Sequence, residues 1–95
     1  MVATMPANAA SFVDTYPCGT VLTTTKTSAT VYNTSCDYAR PGITRYYAGS
    51  PTTYWGALAP LGSSRSVTAT NGTCVNHKVT QFEGSSNVTY THSGC

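Results

Sequence analysis

The chain closes with Thr73-Cys74-Val75-Asn76-His77-Lys78-Val79-Thr80-Gln81-Phe82-Glu83-Gly84-Ser85-Ser86-Asn87-Val88-Thr89-Tyr90-Thr91-His92-Ser93-Gly94-Cys95. Val and Thr recur on both sides of Gly84-Ser85, with Phe82 on one side and Tyr90 on the other, and such residues suit a pleated, half-buried surface. Gly84 fits the first central position of a type II′ turn, with Ser85 second, so the stretch reads as a β-hairpin. That turn sets the register. If Glu83 faces Ser86, then Val79 faces Tyr90, His77 faces His92 and Cys74 faces Cys95. Turn chemistry and cysteine position agree independently on a Cys74–Cys95 disulfide across the open end, and a slip of one residue would turn every side chain to the other face.

Four cysteines are present, which leaves Cys18 for Cys36. The same logic predicts a second hairpin turning near Lys26-Thr27-Ser28, with Val31 facing Thr23 and Tyr32 facing Leu22. No cysteine pair has the C-x-x-C spacing of a zinc knuckle or a redox site, so two disulfides and an oxidising compartment are expected. Each closes a loop of about 20 residues, for which the chain-entropy account gives ~3 kcal/mol. A chain this short buries little apolar surface and needs that support.

Outward from the hairpin the rest reads the same way. Strands are expected at 12–16, 19–25, 29–33, 43–47, 53–58, 65–70, 73–82 and 87–92. Breaks are expected at Arg40-Pro41-Gly42, Gly49-Ser50-Pro51, Ala59-Pro60-Leu61-Gly62 and Asn71-Gly72. No helical periodicity runs for ten positions or more. The fold class is all-β: a small disulfide-stapled sandwich, or small barrel, of seven or eight short antiparallel strands. Residues 11–95 form one domain. Residues 1–10, with the small-residue run Ala7-Asn8-Ala9, read as a flexible leader or signal-peptide remnant.

Composition narrows the function. Only 8% of the 95 residues are charged, while Ser and Thr fill 28 positions, so hydroxyls rather than charges wet the surface. Five basic residues against three acidic ones make no cationic stripe for nucleic acid. Ten aromatics with a net charge of +2 exclude disorder. No apolar run reaches the ~20 residues that span a bilayer. The triplets Asn33-Thr34-Ser35, Asn71-Gly72-Thr73 and Asn87-Val88-Thr89 are glycosylation acceptors if the chain is secreted from a eukaryote. Secretion is the expectation drawn from the cysteines.

Residues 37–65 hold three of the five basic residues and five of the ten aromatics, a concentration that marks a recognition surface. Trp, Tyr and Arg are the residue types enriched at binding hot spots. Arg40, Arg45, Tyr46, Tyr47, Tyr54 and Trp55 are the candidate binding residues. In the expected register His77 and His92 lie side by side, and two imidazoles can hold zinc or copper. A catalytic zinc wants a third protein ligand, and only Asp14, Asp37 and Glu83 offer a carboxylate. Two structural histidines, no metal and no cofactor are therefore expected. Walker, nucleophile-elbow, zincin and dinucleotide motifs are all missing, so an enzyme is not expected.

Two disulfide-closed β segments in a chain below 100 residues resemble the layout of the small actinobacterial α-amylase inhibitors. That family's Trp-Arg-Tyr triplet is replaced here by nothing nearer than Thr53-Tyr54-Trp55, so no site is carried over. The sequence reading is a secreted, non-catalytic protein that binds a protein partner as an inhibitor, toxin or effector. A carbohydrate-binding module is one alternative, with the aromatics stacking on a glycan. A self-assembling subunit of an extracellular filament or coat, using residues 1–13 as an intersubunit strand, is the other.

Overall fold

The computed structural model describes residues 12–95, so the expected leader 1–10 lies outside the described residues. In chain order the elements are β1 (Phe12–Tyr16), a 3-10 turn (Pro17–Gly19), β2 (Thr20–Thr24), β3 (Ser28–Tyr32), β4 (Tyr38–Tyr47), β5 (Ser50–Trp55), β6 (Ala59–Pro60), β7 (Ser64–Thr68), β8 (Thr73–Glu83) and β9 (Ser86–Ser93). Two antiparallel sheets face each other. One runs β1-β2-β3-β7; the other runs β5-β4-β8-β9, with β6 paired to the start of β4. The expected all-β sandwich is the observed architecture, with the two-residue β6 added.

The C-terminal hairpin has the register that its turn dictates: Val79 faces Tyr90 and His77 faces His92. Gly84 takes φ 58° while Ser85 stays at negative φ, the sign pattern of a type II′ turn. Both expected disulfides are present, with Cα separations of 5.4 Å for Cys18–Cys36 and 6.1 Å for Cys74–Cys95.

The β2–β3 hairpin departs from expectation by one residue. Leu22 faces Val31 and Thr23 faces Thr30, rather than Tyr32 and Val31. Its turn is Lys26-Thr27, closed by the Thr25 amide donating to the Ser28 carbonyl at 3.0 Å. Burial decides the register: Leu22 and Val31 are fully buried, whereas Tyr32 is exposed. Cys18 and Cys36 exert no pull on it. Cys18 sits in the 3-10 turn at φ 54° and Cys36 beyond the end of β3, so neither belongs to the ladder.

The break expected at Arg40-Pro41-Gly42 is instead the middle of β4. The Pro41 carbonyl accepts the Gly56 amide at 2.8 Å, so the backbone of Pro41 points away from β8, into the gap between β5 and β6. No ladder bond is lost there to the missing N–H, and proline is tolerated.

Leu22, Ala29, Val31, Ala39, Ala59 and Val79 form the core, flanked by Tyr16, Val67 and Tyr90. Half of the six are alanines, so polar side chains complete the interior, among them Thr20, Thr24, Asn33, Arg45, His77 and Gln81. Asn33 donates to the carbonyls of Cys36 and Ala59 and accepts the Cys36 amide, at 2.9, 3.0 and 2.9 Å. That acceptor triplet is thus built into the fold, while Asn87 is exposed on β9. Among the described residues no helix is long and apolar enough to cross a membrane.

Candidate functional site

Side-chain alternation along β4 sorts the candidate binding residues. Arg40 and Gly42 point to the outer face of the five-stranded sheet. Trp55 of β5 stands opposite Gly42, and its ring lies so close that a Cβ on Gly42 would meet Trp55 Cε3 at 2.7 Å. The Arg40 guanidinium carbon lies 4.5 Å from the Trp55 ring centroid and 5.8 Å from that of Phe82. Phe82 arrives from β8, where it faces Tyr38. The guanidinium has no ion-pair partner among the described residues, and its buried Nε has no hydrogen-bond partner.

Beside this cluster lies a depression of about 410 Å³ lined by Asp37, Tyr38, Pro60, Leu61, Phe82 and Gly84. Tyr38 and Leu61 stand exposed on its rim. Asp37 holds one wall by accepting the Gly84 amide at 2.8 Å, which joins the end of β3's loop to the β8–β9 turn. A clasped cation next to an apolar hollow can take a carboxylate and an aliphatic or aromatic side chain together.

The other candidates separate from this cluster. Tyr46 shares the outer face but lies four positions beyond Gly42, ~13 Å along the strand. Tyr47 ends β4 at the hairpin that turns through Ala48 and Gly49, and both tyrosines are about half exposed. Tyr54 points to the opposite side of β5 from Trp55, and its hydroxyl accepts from the Asn71 amide at 2.7 Å. Arg45 is buried, and its guanidinium is filled by backbone: Nε donates to Asn71 O at 2.6 Å, Nη1 to Lys26 O at 2.5 Å, and Nη2 to Gly72 O at 2.9 Å and Thr70 O at 3.4 Å. It braces two turns rather than facing a partner. Tyr38, Phe82 and Leu61 join Arg40 and Trp55 through the β4–β8 and β4–β6 pairings, which no local sequence signal announces.

The histidines meet as the hairpin requires, with ring centroids 6.2 Å apart. His77 is buried, and its Nε2 sits 2.6 Å from the Thr25 carbonyl, which makes that nitrogen the donor. Burial pushes its pKa below the usual 6.5; the carbonyls of Thr25 and Gly94 pull the other way, and the nearby His92 and Arg45 depress it further. His92 Nδ1 engages the Asp14 carboxylate of β1 and so ties the two sheets at their shared edge. The sulfurs of Cys74 and Cys95 lie with His77 Nε2 in a group of metal-ligating size. Those sulfurs are joined to each other and the ring nitrogen beside them, Nε2, is committed to Thr25, so the folded, oxidised chain offers no thiolate there.

Comparison with protein-family models, with curated proteins and with solved structures finds no match to this chain.

Proposed function

We propose that this is a secreted, non-catalytic binding protein that engages a protein partner through the outer face of the β5-β4-β8 sheet. Arg40, Trp55, Phe82 and Tyr38 are its anchors, and the depression beside Leu61 seats an apolar side chain of the partner. One observation carries the reading: the Arg40 guanidinium lies over the Trp55 ring, with Phe82 also near, and has no carboxylate of its own. A guanidinium fixed this way keeps its planar donors aligned for a bidentate carboxylate, and little side-chain freedom is left to lose on binding. The two disulfides accord with an extracellular setting, where inhibitors, toxins and effectors of this size act.

A glycan-binding reading uses the same rings less well, since Arg40 already occupies a face of Trp55 that a sugar would stack on. The test is a photo-crosslinking amino acid in place of Leu61, used in the extracellular fluid in which the protein acts. A discrete crosslinked protein that disappears in Arg40→Ala and Trp55→Ala, with melting unchanged, supports the proposal. Retention on insoluble polysaccharide without any such crosslink overturns it in favour of a glycan.

A further inference from the structure

We propose that β9 is a docking edge for a second copy of this chain, the two β9 strands pairing antiparallel so that two five-stranded sheets become one. Among the described residues five strands lie at the sheet edges: β1 and β7 in one sheet, and β5, β9 and the two-residue β6, which ends in Pro60, in the other. Natural edges are guarded against such pairing by charge, proline, bulges or shortness. β5 carries Pro51, β7 is five residues long with Arg65 in it, and β1 is five residues long with Asp14 at its centre. β9 has none of these guards. Its eight residues, Ser86–Ser93, include no charged residue, proline or glycine, and they pair with β8 without a bulge.

The free backbone groups follow from the turn. Glu83 and Ser86 flank a two-residue loop and form the hydrogen-bonded pair that closes it. Alternation along the ladder then directs the N–H and C=O of Asn87, Thr89, Thr91 and Ser93 away from β8. Pairing about a two-fold axis at Thr89 sets Thr89 against its own copy and Asn87 against Thr91, making about six backbone hydrogen bonds. In that register Val88 falls opposite Tyr90 of the other copy as a non-hydrogen-bonded pair. Such pairs bring side chains closest, and aromatic with β-branched is a favourable combination.

Two further observations favour a second copy as the occupant. Val88 shares a face with Gln81 and Tyr90, the side turned toward the other sheet, yet it is 48% exposed because no described residue lies beyond the edge to cover it. The chain is also net positive at +2, but none of that charge is on β9. The nearest cation, Lys78, donates to Thr91 at 3.2 Å from one strand inside. In the paired register its copy would be ~19 Å away, beyond a screening length at physiological salt. The anion at this edge, Asp14 of β1, is engaged by His92 within its own protomer, so β9 presents no unpaired charge to its copy.

The experiment is sedimentation of the full oxidised chain over a range of concentrations, with Thr89→Pro and Val88→Lys alongside. The first substitution removes an N–H that points away from β8; the second places a charge opposite Tyr90 of the other copy. The wild type should sediment at twice the 10.0 kDa protomer mass, and both variants at the protomer mass with unchanged circular dichroism. Amides of Asn87, Thr89 and Thr91 should become protected from hydrogen exchange as concentration rises. A wild type that stays monomeric up to about 1 mM overturns the proposal, as does a dimer that persists in Val88→Lys. Should Thr89→Pro fail to fold, Val88→Lys and the exchange data still decide.

Discussion

Arg40 and Arg45 lie five positions apart on β4 and serve opposite ends. Arg45 points into the molecule, where four backbone carbonyls from the β2–β3 turn and the segment before β8 consume its donors. Arg40 points outward, with Trp55 and Phe82 against its guanidinium and its charge unanswered. The same side chain is a brace where backbone oxygens need donors and a recognition element where aromatic rings hold it and no acceptor is near. Residue type alone does not distinguish the two roles. Which face of the strand it occupies, and what lies across that face, does.

The largest expected effect tests the brace. Arg45→Met takes the donors from four carbonyls in part-buried bonds, at ~1–3 kcal/mol each where water cannot replace the lost bond. A loss of ~3 kcal/mol or more in urea unfolding is expected, with a fall in Tm on the order of 15 °C. Arg45→Lys should recover only part of this, because an ammonium cannot reach the same fan of carbonyls. Gly42→Ala comes next. Its methyl would meet the Trp55 ring at 2.7 Å, so Trp55 should move, its fluorescence should shift, and stability should fall by ~1–3 kcal/mol as in other overpacked sites.

Arg40→Ala is the counterpart of the first substitution. It should change stability by less than ~1 kcal/mol, since it removes a partly exposed cation–π contact, while abolishing partner binding. A large loss of stability would show that Arg40 is a brace too, and would erase the contrast.

The smallest effect is a pH dependence that involves Arg45 and not Arg40. His77 has its pKa depressed in the folded chain by burial, with Arg45 among the charges that lower it further. In the unfolded chain His77 takes up a proton near 6.5, where the native state still resists it. The contribution of neutral His77 to stability is therefore complete above about pH 6.5 and is lost as pH falls through the lower native value. Melting temperature should decline below pH 6.5 and the decline should flatten in His77→Gln, whose amide can still donate to Thr25.

How far the sequence could be read follows the range of the forces involved. The β8–β9 register was legible because Gly84-Ser85 sets it within a few residues and Cys95 checks it independently. In β2–β3 the turn residues Lys26-Thr27 are less diagnostic, and the cysteines that closed the reading lie outside the ladder, so the buried pairing of Leu22 with Val31 settled a register one residue away. Pro41-Gly42 looked like a break because a proline's harm depends on which side its nitrogen faces, and that is known only once β5 and β6 are in place. At the candidate site, Arg40 and Trp55 were visible as residue types, whereas Phe82 joined them only across the β4–β8 pairing.

Composition, spacing and local turn chemistry suffice for the β class, the two disulfide pairings, the C-terminal hairpin and the scarcity of surface charge. That Arg45 is interior and Arg40 is not, that Trp55 lies over Gly42, and that β9 is the long unguarded edge all emerge from the assembled sheets. Those properties depend on which strands become neighbours. Strand order comes from burying one face of every strand at once, a condition on the whole chain that no single stretch of it contains.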